Sequence, residues 1–208
     1  MQYYMLHKPA GCITASRDER RPTVFDHLPE AFSEKLFAVG RLDRDTVGLL
    51  LITDDGALTA RLLHPDSGIQ KTYECLCVGE MNEEKLTRLS DGVYLDRERC
   101  VLSRPAQARL LWEGRLVDVS AFLSGKDIAL ARKRPQTPVF RLSITVTEGK
   151  KHQIKRMLLA VGCRVVWLCR RSMGPLLLDP SLPVGAHRPL TAEEIAALYR
   201  AVGLDALA

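Results

Sequence analysis

The stretch FRLSITVTEGKKHQIKRMLLAVG, residues 140–162, changes its hydrophobic period half-way along, and that change decides the fold class. Phe140, Leu142, Ile144 and Val146 alternate with Arg141, Ser143 and Thr145. A period of two places the apolar set on one face, so the segment reads as a half-buried strand. Beyond Glu148-Gly149, the residues Ile154, Met157, Leu158 and Val161 recur at i, i+3, i+4 and i+7. That spacing is one face of a helix, and Gly162 ends it.

Working outward, the same tests give further elements of both kinds. Upstream, residues 2–6 read as a strand ending in the turn Lys8-Pro9-Ala10-Gly11, and residues 16–22 as an exposed loop. Residues 36–39 and 49–52 read as strands, the second buried. Asp54 or Asp55 caps a short helix carrying Leu58 and Leu62 on one face. Residues 72–78 form a strand, and Asn82 caps a helix that Gly92 stops. Residues 108–112 and 116–121 read as strands, and the basic, proline-bearing residues 126–138 as a loop. Downstream, residues 165–169 form a strand. A capping box from Thr191 to Glu194 opens a last helix with a stripe of Ile195, Leu198, Tyr199 and Val202. The mixture shows no regular β-α-β repeat. It predicts an α+β fold, a mixed and largely antiparallel sheet flanked by helices and loops.

At 208 residues the chain suits one domain, residues 1–208, divisible into two subdomains. Lys plus Arg exceed Asp plus Glu by 30 to 25, a mild excess that permits a polyanionic partner without demanding one. Polar Gln2, His7 and Lys8 exclude a secretory signal at the start, and no apolar run is long enough to span a bilayer. The cysteines at 12, 75, 77, 100, 163 and 169 form no CxxC pair and have no zinc spacing. Free thiols of a cytoplasmic protein, monomeric and without a membrane partner, are the expectation.

Three segments can carry chemistry. In Gly40-Arg41-Leu42-Asp43-Arg44-Asp45-Thr46-Val47-Gly48, charged residues interrupt two apolar runs. A carboxylate between Arg41 and Arg44 stays ionised and can act as nucleophile or base. The pattern equally suits a turn of solvated ion pairs. In Lys71-Thr72-Tyr73 the first and third side chains share a strand face, which suits base stacking beside a cation but also an ordinary strand tyrosine. In the third, Lys151, His152, Lys155 and Arg156 occupy one helical arc with no glutamate among residues 150–159. That imbalance, at a helix N-terminus, favours phosphate or carboxylate binding over a solvated face. Asp43, Asp45, Asp54 and Asp55 do not suggest a Mg²⁺ site, because adjacent arginines compete for the carboxylates. Phosphate-loop and dinucleotide-binding motifs are absent from the sequence.

Together these segments resemble the RsuA/RluB/RluE/RluF family of ribosomal RNA pseudouridine synthases. Gly40-Arg41-Leu42-Asp43-x-x-Thr46-x-Gly48-Leu49-Leu50-Leu51-x-Thr53-Asp54-Asp55-Gly56 is similar to the first signature, Lys71-Thr72-Tyr73 to the second, and Glu148-Gly149-Lys150-x-His152-Gln153-Ile154-Lys155-Arg156-Met157 to the third. Val165-Val166-x-Leu168-x-Arg170 and Arg188-Pro189-Leu190-Thr191 also match. The resemblance implies that Asp43 is the catalytic aspartate, Tyr73 stacks on the target uracil, Lys155 pairs with the aspartate and Leu168 packs at the site. Arg41 joins these as substrate-binding, and Lys71, Lys150, Lys151, His152, Gln153, Arg156 and Arg170 are the expected RNA contacts. It implies isomerisation of uridine without a cofactor. The target expected is 16S rRNA or a small-subunit assembly intermediate. Alternatives are 23S rRNA, tRNA, or a non-catalytic RNA-binding assembly factor. Many relatives carry an N-terminal S4-like module that this sequence does not show. RNA docking is then expected to use basic loops such as residues 126–134. Ser172 stands where relatives often carry a basic residue.

Overall fold

A computed structural model describes every residue except 33, 97, 99 and 205–208. In chain order the elements are β1 (Tyr3–Lys8), β2 (Phe37–Ala38), β3 (Val47–Thr53), α1 (Gly56–Leu63), β4 (Lys71–Val78), α2 (Glu83–Asp91), β5 (Tyr94–Asp96), β6 (Val101–Leu102) and β7 (Gln107–Arg115), then α3 (Lys126–Lys133), β8 (Pro138–Val146), α4 (Gln153–Ala160), β9 (Arg164–Met173), β10 (Leu176–Leu177), β11 (His187–Pro189) and α5 (Ala192–Ala201). Short 3-10 turns cover Val24–His27, Glu30–Phe32 and Leu116–Phe122. The α+β class is as expected. The chain forms two compact units, Met1–Lys71 with Cys169–Ala208, and Thr72–Leu168.

In the first unit the strand order is β11-β1-β3-β9, with β2 on β3 and β10 on β9. β3, wholly apolar between Leu49 and Ile52, is completely buried there, which is why it takes the centre. It runs antiparallel to β1, Tyr3 opposite Thr53 and Lys8 opposite Gly48. It runs parallel to β9, with Val47 opposite Cys169 and Gly48 opposite Arg170. A side chain at position 48 is impossible: a Cβ would lie 2.3 Å from the Arg170 carbonyl oxygen. The residue also holds φ of 110°, which glycine tolerates best. α1 starts as expected, with the Asp55 carboxylate accepting the Leu58 amide at 2.9 Å. The same buried carboxylate accepts the hydroxyls of Tyr3 on β1 and Tyr199 on α5. Burial opposes its charge, but the Tyr199 hydroxyl, the Leu58 amide and the Tyr3 hydroxyl outweigh that and hold Asp55 below the usual carboxylate range. At α5, Thr191 and Glu194 make the expected capping box.

The second unit orders its strands as β9-β4-β8-β7, and β5 pairs with β6 as a separate hairpin. One apolar cluster gathers Phe140, Leu142, Ile144 and Val146 of β8 with Ile154, Met157 and Leu158 of α4 and Leu89 of α2. That cluster is the period change at residues 140–162 turned into packing. A smaller cluster joins Leu116, Val119, Leu123, Ala131 and Val139.

Two expectations are corrected here. Residues 116–121 do not form a strand. Leu116 and Val119 are buried while Val117 is 46% exposed, the three-residue period of the 3-10 turns that meet at Val119. Asp118 accepts the Arg115 amide at 2.8 Å and starts them. Residues 126–133 are a helix rather than a loop, seated by Ala131 and Leu130 on the smaller cluster.

Candidate active site

Asp43 lies on the connection from β2 to β3 in the first unit, and that connection is fastened to residues 8–14. Leu42 is buried, and Thr14 grips it from both sides: the threonine hydroxyl donates to the Leu42 carbonyl at 2.9 Å and accepts its amide at 3.1 Å. The Arg44 carbonyl accepts the Gly11 amide at 2.8 Å, and Arg44 Nε donates to the Gly11 carbonyl at 3.1 Å. The Thr46 amide donates to the Asp43 carbonyl at 3.1 Å. With its neighbours tied down, half-buried Asp43 is held by backbone geometry rather than left on a floppy turn. Arg41 beside it is exposed.

Beneath this connection sits a group that the sequence reading missed. Lys8 is fully buried, and its ammonium donates to the carbonyls of Pro9 at 2.9 Å, Arg44 at 3.3 Å and Thr46 at 2.9 Å. Burial lowers its pKa, and the Cys12 sulfur, Asp45 and Asp43 oppose that shift. Lys8 is thus a buried cation within electrostatic reach of Asp43 that straps together the carbonyls flanking it. Its only sequence signal was a lysine closing an apolar strand just before a proline.

Two expected RNA contacts in this unit are corrected. Lys71 is buried, its ammonium donating to the Ile69 carbonyl at 3.1 Å, and Arg170 is buried with Nε on the Leu49 carbonyl at 2.8 Å. Burial, then the charge of Arg170, lowers the Lys71 pKa. These are interior cations that brace β3 and the approach to β4, not an outer face for a phosphate backbone.

In the second unit, Tyr73 on β4 is half-buried against the cluster that holds Leu168, Ile154 and Met157. Tyr73 and Leu168 thus belong to the same apolar cluster, and Lys155 is half-exposed on the helix that supplies Ile154 and Met157. The single basic arc expected on this helix does not form. His152 adopts the left-handed conformation, φ 53°, and α4 starts only at Gln153, so exposed Lys151 and His152 belong to the preceding turn. That turn is built by Glu148. Its carboxylate accepts the Arg104 amide at 2.9 Å and Gln153 Nε2 at 2.7 Å, and pairs with Lys150 Nζ at 2.7 Å. Burial raises the Glu148 pKa, but the Lys150 ammonium and the Arg104 amide outweigh it, so the carboxyl titrates below its usual range. Gln153, only 5% exposed, also accepts the Lys150 amide at 2.9 Å. Lys150 donates further to the Leu102 carbonyl at 2.8 Å, and Arg156 Nε to the Leu95 carbonyl at 3.0 Å. Gln153 is corrected from RNA contact to loop-builder, and Lys150 and Arg156 are committed to the same architecture. Among the described residues no cluster of His, Cys, Asp or Glu could hold a metal ion. No helix among them is long and apolar enough to cross a membrane.

Residues 2–160 match the sequence model of the family described as RNA pseudouridylate synthase. The chain belongs to that family. An uncharacterised RNA pseudouridine synthase of Bacillus subtilis strain 168 is 39% identical over 93% of this chain and 71% of its own length. The ribosomal small subunit pseudouridine synthase A of Escherichia coli K12 is 36% identical over 95% of this chain and 74% of its own. A solved pseudouridylate synthase superposes with a TM-score of 0.76 at 33% identity, covering 95% of this chain and 73% of that one. Human RNA pseudouridylate synthase domain containing 1, at 15% identity and TM-score 0.58, shares the fold. This pseudouridine synthase therefore takes RNA as its substrate and isomerises uridine within it.

Proposed function

We propose that this pseudouridine synthase modifies 16S rRNA, free or in a small-subunit assembly intermediate, with Asp43 as its catalytic carboxylate. The target rests on the similarity to ribosomal small subunit pseudouridine synthase A over nearly the whole chain. The role of Asp43 rests on the signature Gly40-Arg41-Leu42-Asp43 falling within the family match, and on the strapping of its connection by Lys8 and Thr14.

The chemistry follows from that carboxylate. The target uridine leaves its helical stack, as base-modifying enzymes require. Tyr73 takes up the uracil face and replaces the lost stacking. Asp43 attacks the nucleotide at C1′ of the ribose or at the ring, and the N1–C1′ bond breaks. The uracil turns in place, C5 bonds to C1′, the bond to Asp43 breaks with its electron pair returning to the carboxylate, the C5 proton departs to a base and N1 takes a proton. Every atom of the substrate reappears in the product, so the reaction consumes no co-substrate. Leu168 supplies an apolar wall beside Tyr73, Lys155 is a cation for the substrate, Arg41 flanks the nucleotide, and exposed Lys151 and His152 meet phosphates.

The test is chemical mapping of pseudouridine after incubation with unmodified 16S and 23S transcripts and with assembly intermediates. Product in 16S rRNA supports the proposal, product only in 23S rRNA or tRNA moves the target, and none in any substrate defeats the enzymatic reading. Asp43→Asn abolishes turnover while RNA binding persists; retained turnover removes Asp43 from its role.

A further inference from the structure

The second unit carries a basic, aromatic face that the proposed chemistry does not use. It is built from the end of β7 and the 22-residue excursion from Leu116 to Thr137 that returns the chain to β8. The parts are brought together by backbone bonds. The Leu116 amide donates to the Thr137 carbonyl at 2.9 Å and the Val117 amide to the Pro135 carbonyl at 3.2 Å, so the basic C-terminal end of α3 returns beside the start of the excursion. There the Trp112 ring folds over Gly114, where a Cβ would lie 2.2 Å from Cζ2, yet Trp112 remains 39% exposed. Val117 and Phe122 are 46% and 47% exposed, and Phe122 stands edge-on against Trp167 with centroids 5.2 Å apart. Around these lie exposed Arg115, Arg132, Lys133 and Arg134. Of the acidic residues on the excursion, Asp127 is buried and paired with Arg164 at 2.7 Å, which leaves Asp118. Flat apolar rings ringed by cations match the chemistry of unpaired RNA, bases stacking on the rings and phosphates meeting the guanidinium and ammonium groups.

We propose that this face is an RNA-docking surface that holds the substrate outside the Asp43 region, with Trp112 as the platform for an unpaired base. The inference rests on RNA being the substrate and adds where the larger part of it is gripped. A protein partner is the competing occupant; the cationic rim favours RNA.

Binding of 16S rRNA transcripts to the full chain, measured between 50 mM and 200 mM salt, tests it. The triple variant Arg132→Gln, Lys133→Gln, Arg134→Gln raises Kd about tenfold and flattens the slope of log Kd against log salt by about two to three. Trp112→Ala weakens binding about tenfold without changing the slope, and Trp112→Phe restores most of it. Melting temperatures equal to the wild type show that each variant is folded. Wild-type Kd and slope in both sets of variants overturn the proposal and leave the face to a protein partner. If the wild type yields no pseudouridine in any rRNA while these binding differences persist, the enzymatic target fails and the docking surface stands.

Discussion

A single buried ammonium, that of Lys8, ties the Asp43 connection to the core. Replacing it with methionine keeps the volume and leaves the carbonyls of Pro9, Arg44 and Thr46 without their donor. An unsatisfied buried polar group costs about 1–3 kcal/mol, so Lys8→Met lowers the midpoint of urea unfolding and reduces kcat more than it raises KM. An unchanged midpoint would show that water reaches those carbonyls. Tyr73→Ala removes the proposed stacking face and weakens kcat/KM by a factor equivalent to ~1–3 kcal/mol, while Tyr73→Phe keeps most of it. At this scale the sequence disclosed the signature residues but not their depth. Periodicity separates apolar from polar faces, and a lysine at a strand end reads as surface whether or not carbonyls close over it. That is why Lys8 went unnoticed and why Lys71 and Arg170 were expected outside.

Among elements, the carboxylate of Asp55 links three: it caps α1, and it receives the hydroxyls of Tyr3 from β1 and Tyr199 from α5. Its pKa is lower folded than unfolded, so the stability it contributes is complete above the unfolded value near 4 and drains away as pH falls through the folded value. Asp55→Asn therefore flattens the loss of stability below about pH 4, seen in melting temperature against pH, and lowers stability at neutral pH. A wild-type acid limb in that variant would remove Asp55 from the linkage. β8, α4 and the Thr191 capping box were legible because each carries a strong local period or cap. α3 was not: Gly125 precedes it without a capping side chain, and only Asp127 and Ala131 on it are buried. The β5–β6 hairpin escaped too, its strands being three and two residues long, below any window that can show a period.

Across the whole molecule the units differ in how the chain supplies them. Thr72–Leu168 is continuous, whereas the first unit combines Met1–Lys71 with Cys169–Ala208. Composition shows no shift at residue 71 or 168, so this interleaving left no mark in the sequence. Closing a long loop before its contacts form is slow. In pulsed hydrogen exchange during refolding, amides of β8 and α4 thus gain protection before those of β3; simultaneous protection would show one cooperative nucleus instead.

The close seat of Gly48 against Arg170 has a consequence in the living cell. Asp43 emerges early from the translating ribosome, but β9, which pairs with β3 at Val47 and Gly48, is made long afterwards. A half-made chain thus carries the proposed catalytic carboxylate without that pairing strand. With Asp43 in its proposed role, a chain that stops short of Cys169 is expected to be inert.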